Sequence, residues 1–188
     1  MSSIFKKIEQ FPKEEVTDLI ASDLSVLDES LELIGKSPGT RTGQWCDLMG
    51  IGQDRQLVMI SVEERYTDRM FFTILNRLDV VWENMDNISH LYPAYGIERN
   101  HLPRVVIVAP SYPESFIKSL GYLTYRVRID LFTYRCLESG EGRGLLVEPV
   151  ETKVNYGDIL KADSRILKPR GLATGTKVTT EEIMEFLH

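Results

Sequence analysis

QWCDLMGIGQDRQLVMISVE, residues 44–63, decides the fold. Two apolar runs, about 44–49 and 56–62, flank a segment carrying Gly52 and Asp54, and together they read as strand, turn and strand. Asp47 opens the first strand, and the second ends in Ser61, Val62 and Glu63. Side chains two apart on a strand share a face, so Ser61 and Glu63 project together. A three- or five-residue loop centred on Asp54 sets Asp47 on that face as well, whereas a two-residue turn sets it on the other.

Upstream, Val16, Leu19, Ile20, Leu24, Leu27 and Leu31 follow helical spacing, with Pro12 near the start. Glu14, Glu15 and Asp18 suit the positive end of that helix. Asp23 can cap a second short helix, and Leu31–Ile34 is a short strand closed by Gly35. Downstream, the pattern predicts one helix over about 68–91, long enough at 1.5 Å per residue to cross a whole sheet. Its stripe is Phe71, Leu75, Leu78, Trp82 and Met85, and Pro93 and Gly96 end it. Trp82 reads there as core. A buried strand is expected at 104–109, a short helix at 115–120 and a last strand at 145–150. Between them TYRVRIDLFTYR alternates, with Tyr125, Val127, Ile129 and Leu131 opposite Arg126, Arg128 and Asp130. From 151 the pattern weakens to a loop-like stretch and a short helix in TTEEIMEFLH.

The 188 residues are 43% hydrophobic and 27% charged, the balance of a soluble globular protein with one main domain. No apolar run is long enough to span a bilayer. The start of the chain lacks a secretory signal pattern, so neither membrane association nor secretion is expected. Cys46 and Cys136 form neither a ligand spacing nor a disulfide framework, which suits a reducing cytoplasm. Net charge is −6, unevenly spread. Lys161, Arg165, Lys168, Arg170 and Lys177 face one acid, Asp163, a local charge of +4 that leaves −10 on the rest. An acidic body is a poor generic partner for a phosphate backbone, and the basic segment is the local exception.

The order helix, hairpin, long helix, strand, helix, strand describes an α/β fold with a mixed sheet between helices. The segments TDLIASDLSVLDESLELIG, GQWCDLMGIGQDRQLVMISVEE, LNRLDVVWENMDNI and PRVVIVAP together resemble the restriction-endonuclease-like superfamily of PD-(D/E)xK type. The likeness is greatest to the C-terminal nuclease domain of NucS-type mismatch endonucleases and covers about residues 16–134. It implies a restriction-endonuclease-like domain over 1–150, followed by a basic linker and short helix over 151–188.

In that family an Asp begins the hairpin, a Glu-x-Lys ends the next strand, and a helical Gln often completes the site. Two carboxylates hold Mg²⁺, which generates the nucleophile, while Lys orients the attacking water. The resemblance carries the Asp to Asp47, the Glu to Ser61, the Lys to Glu63 and the Gln to Asn76. A Ser hydroxyl is a weak ligand for a hard cation. Glu63 sets negative charge where water must approach an anionic phosphate. The expectation is a catalytically inactive nuclease-fold protein with a nucleic-acid-binding or scaffolding role, needing no cofactor and admitting a homodimer. Arg126, Arg128, Lys161, Arg165, Lys168 and Arg170 are the candidate nucleic-acid contacts. One alternative is a Mg²⁺-dependent endonuclease with a relocated site, its metal held by Asp47 and Glu63. Another is a protein-interaction module without a nucleic-acid role.

Overall fold

The computed structural model describes residues 6–8, 11–40, 43–123, 127–139 and 142–151. In chain order the elements are β1 (Lys6–Ile8), α1 (Lys13–Ser22), β2 (Glu32–Lys36), β3 (Gly39–Thr40), β4 (Gly43–Gln44), β5 (Leu48–Ile51), β6 (Leu57–Val62), α2 (Met70–Glu83), α3 (Met85–Leu91), β7 (Arg104–Ala109), α4 (Glu114–Leu123), β8 (Ile129–Ser139) and β9 (Gly142–Pro149). The main sheet runs β1-β8-β7-β6-β5-β2, with β9 paired to β8, and β3 and β4 form a separate small pair. β6, β7 and β8 are mutually parallel, while β2, β5, β9 and β1 add antiparallel pairings around them. This is the expected α/β fold with a mixed sheet.

The two central strands explain the layering. Every residue of LVMISV (β6) and RVVIVA (β7) is buried, the signature of strands covered on both faces. Met59, Val105, Ile107, Ile129 and Leu131 pack on one face against Ile74, Leu78 and Val81 of α2, Ile88 of α3 and Leu120 of α4. Leu48, Val58, Ile60, Val62, Val106 and Val108 pack on the other against Val16 and Ile20 of α1. Each such aliphatic side chain contributes about 1.5–3 kcal/mol relative to exposure.

The β5–β6 hairpin has the loop that its sequence allows. Ile51 pairs with Leu57, which leaves a five-residue loop centred on Asp54. Asp54 and Arg55 both take positive φ, and the Gly52 N–H donates to the Gln56 carbonyl at 2.9 Å. The register runs to Leu48–Ile60, and one residue before it the Asp47 N–H donates to the Ile60 carbonyl, so Asp47 departs from the regular ladder.

Two expectations are corrected. The single helix over 68–91 is two helices, α2 and α3, separated at Asn84, whose amide donates to the Val80 carbonyl at 2.7 Å and competes with the helical ladder. The core stripe of α2 is Met70, Phe71, Ile74, Leu78 and Val81. Trp82 lies off that stripe, 38% exposed, rather than in the core.

The chain divides into two units, Met1–Val154 and Asn155–His188. The second lies outside the described residues, and so do the expected linker and C-terminal helix. Among the described residues no helix is long and apolar enough to cross a membrane.

Candidate functional site

At the rim of the sheet, where β5 begins and β6 ends, polar groups collect around Asp47. The backbone there is tightly held: the Asp47 N–H donates to the Ile60 carbonyl at 3.0 Å, and the Asp47 carbonyl accepts from the Ser37 N–H at 2.7 Å. The carboxylate is held as firmly. Its Oδ2 accepts from the Val62 N–H at 2.8 Å, and its Oδ1 accepts from the Gln44 side-chain amide at 3.2 Å. Lys13 Nζ stands 2.9 Å from the same Oδ1. Only 7% of the Asp47 side chain is exposed, so these three donors replace its water.

Lys13 is the residue that the sequence did not reveal. It is the first residue of α1, and Glu64 Oε1 accepts its backbone N–H at 3.3 Å. Attention in that helix falls on its acids, yet none of them enters the site. Asp18 pairs with Lys36 at 2.8 Å, Glu15 pairs with Arg143 at 3.2 Å, and Glu14 is exposed. Nothing local in FPKEEVTDLI marks its lysine, because the partner lies across the sheet.

Glu63 follows β6 and is half-buried, its N–H donating to the Val108 carbonyl at 2.8 Å and its carbonyl accepting from the Tyr134 hydroxyl at 3.4 Å. Burial pushes its carboxyl above the ordinary glutamate value, with Lys13 opposing and Asp47 adding to the rise. Arg77 opposes the rise alongside Lys13, and Glu64 adds to it, so charges from α1, α2 and the end of β6 all act on Glu63. A raised folded-state value means the folded protein holds the Glu63 proton more tightly than the unfolded chain. This contribution to stability is present at low pH and is lost as pH rises from the ordinary value of 4.5 through the raised one. Glu63→Gln is expected to be more stable than wild type at pH 7 and to flatten that decline. Urea titrations of both proteins between pH 4 and pH 8 check this, and parallel curves would refute it.

The other predicted positions disperse. Ser61 is buried on β6. Asn76 is exposed on α2 and lines a cleft of about 290 Å³ with Gly43, Gln44, Trp45, Thr73, Arg77 and Val80. Gln44 links this cleft to Asp47, since its amide donates both to Asp47 and to the Cys46 carbonyl at 2.8 Å. Cys46 is a buried free thiol, pushed up to about 12 by burial, so it is no nucleophile at neutral pH. Arg128, just before β8, is about half exposed and pairs with Asp130 at 3.1 Å. Arg126, Lys161, Arg165, Lys168 and Arg170 lie outside the described residues.

The donors do not fit Mg²⁺, which takes near-octahedral oxygen ligands at about 2.1 Å. Asp47 has its oxygens occupied by N–H donors, and Ser61 offers a neutral hydroxyl. Among the described residues no group of three or more His, Cys, Asp or Glu side chains is placed to hold a metal ion.

No family model and no curated protein matches the chain. Among solved structures it is similar to a repair endonuclease from Pyrococcus abyssi, at 21% identity over 66% of this chain and 48% of that one, with a TM-score of 0.42. It is also similar to EndoMS in a complex with double-stranded DNA, at 16% identity over 67% of this chain and 48% of that one, with a TM-score of 0.41. The chain spans about half the length of each.

Proposed function

We propose that this chain is a restriction-endonuclease-like protein that binds nucleic acid without cutting it. The observation that carries this reading is the Asp47 carboxylate, whose oxygens are taken by Lys13, Gln44 and the Val62 N–H. Metal-assisted phosphodiester cleavage needs that carboxylate free to bind the ion. The residue pattern supports the same conclusion: a hydroxyl stands at Ser61 and a carboxylate at Glu63, where the resemblance calls for Glu and Lys. The fold supports the ancestry, since an antiparallel β5–β6 hairpin leads through α2 and α3 to the parallel strand β7. The positive charge over 161–177 supports the nucleic-acid part, against a body that is otherwise acidic.

The purified chain is expected to leave supercoiled, linear, mismatched and single-stranded DNA, and RNA, intact in Mg²⁺ or Mn²⁺. Cleavage that disappears in Asp47→Ala would sink this reading. Binding is read separately by gel shift. Complexes should form at low salt, weaken steeply as salt rises, and depend on the basic residues of 161–177. Absence of any shift would favour the protein-interaction module instead.

A further inference from the structure

We propose that the cleft beside Asp47 is a phosphate site, filled by one phosphate of a bound nucleic-acid strand, with Arg77 as its charged contact and Asn76 as its neutral one. This rests on the nucleic-acid reading above and adds a contact on the body of the fold to those of the basic segment. The observation that carries it is an arginine without an acceptor. Arg77 lies on α2 and is partly buried, where a guanidinium ordinarily has its N–H donors taken up. Among the described residues no carboxylate stands within ion-pair distance of it and no carbonyl accepts from it. Arg104, Arg128, Arg135 and Arg143, by contrast, each pair with a carboxylate of this chain.

The acids at the rim do not fill that role. The Asp47 oxygens are taken by Lys13, Gln44 and the Val62 N–H. Arg77 acts on Glu63 as a charge, without an ion pair between them.

The lining favours an anion. Of the residues around the cleft of about 290 Å³, Arg77 alone is ionised. Gln44, Thr73 and Asn76 are neutral, and Trp45 and Val80 are apolar. The Gln44 amide is turned to Asp47 and to the Cys46 carbonyl, and the Thr73 hydroxyl donates to the Arg69 carbonyl at 3.1 Å. That leaves the Arg77 guanidinium and the Asn76 amide, neither with a hydrogen-bond partner among the described residues. The planar guanidinium presents parallel N–H groups that match two phosphate oxygens, and an amide beside it can meet a third. The volume is at the lower end for ligand pockets, enough for one phosphate with its sugar against Val80 and Trp45. Because the fold has already stripped part of its water from Arg77, the contact is stronger than one made by a fully exposed arginine.

The test uses the full chain as wild type, Arg77→Gln, Arg77→Lys, Asn76→Ala and Arg135→Gln, with thermal transitions confirming that each is folded. The probes are a short fluorescein-labelled oligothymidylate and inorganic phosphate. Arg77→Gln is expected to weaken oligothymidylate binding by about tenfold or more. It should also lower the slope of log affinity against log salt by about 0.7, the share of one phosphate on a single strand. Arg77→Lys keeps the charge without the fork and should fall between, and Asn76→Ala should weaken binding less than Arg77→Gln. Arg135→Gln makes the same change in net charge at a paired arginine and should bind as wild type. Inorganic phosphate should shift the NMR signal of the Trp45 indole N–H in wild type and leave it in place in Arg77→Gln.

Oligothymidylate binding that is unchanged in Arg77→Gln overturns the proposal. Equal losses in Arg77→Gln and Arg135→Gln overturn it too, because net charge alone would then account for the effect. Failure of the function proposed above looks different. Cleavage by wild type sinks the non-cleaving reading and leaves the Arg77 dependence standing. A wild type that binds no strand sinks the nucleic-acid reading. An Arg77-dependent Trp45 shift would then keep the cleft as a site for a free phosphoryl compound, and no shift would remove it.

Discussion

Arg104→Ala is expected to destabilise the protein by about 3–5 kcal/mol, the range for breaking a buried ion pair by removing one partner. Arg104 opens β7 and is only 5% exposed, an unusual place for a guanidinium. Two carboxylates make that burial possible. Its Nη1 donates to Asp28 Oδ2 and its Nε to Asp130 Oδ2, each at 2.6 Å. Arg128 adds a bond of 3.1 Å to Asp130 from the solvent side. Burial alone would raise the Asp28 carboxyl, but hydrogen bonds from Arg104 and Ser30 outweigh it and hold the group at about 2. Truncating Arg104 leaves Asp130 with Arg128 and Asp28 with Ser30, so the cost lies in two charge-assisted bonds lost from a buried position, with the Asp28 charge left without its cation.

The acid limb gives an independent check. A lowered folded-state value contributes stability above the ordinary 3.8 that is lost as pH falls towards 2. Urea titrations should show this loss in wild type and a much smaller one in Arg104→Ala. A destabilisation under about 1 kcal/mol would place the network with ordinary exposed pairs.

The hairpin was legible because its evidence is local. An apolar run ending in Ser61 and Glu63, with Gly52 and Asp54 before it, contains the strand, the loop and the register in about twenty consecutive letters. β6 and β7 were equally legible, since uninterrupted aliphatic runs have few structural alternatives. The division of α2 from α3 was not, because Asn84 is an ordinary polar residue until its amide turns back to Val80. Trp82 was misplaced for a related reason. A stripe fitted across 68–91 follows one helical phase, whereas the core is met by Phe71, Ile74 and Val81 in one helix and Met85 and Ile88 in the next.

The site was half legible. The five-residue loop was one of the lengths the sequence allowed, and Ser61 and Glu63 could be placed at the end of a strand. The group that determines their chemistry could not, because Lys13 is separated from Asp47 by more than thirty residues and reaches it only when α1 covers the sheet. Arg104 and Asp28 were hidden likewise, each unremarkable until the fold brings them to 2.6 Å.

Asp47→Ala is expected to lower stability by about 2–3 kcal/mol, and the sign carries the argument. In a working metal site the acids are held close for the sake of the ion, so removing one without metal relieves repulsion and commonly stabilises the fold. Here Asp47 is a structural acceptor. Its loss leaves the buried Val62 N–H without a partner, a penalty of about 1–3 kcal/mol. It also removes the partner of Lys13, whose partly exposed ammonium can turn to water and so adds less than a fully buried charge would. Asp47→Asn keeps an acceptor for the Val62 N–H and should cost clearly less. Denaturant midpoints of the three proteins at constant m-value, measured with excess chelator, decide the matter. If Asp47→Ala proves more stable than wild type, the carboxylate is held under strain for a cation, and the non-cleaving reading fails. If it proves less stable with Asp47→Asn between, the rim of this sheet has become part of the scaffold.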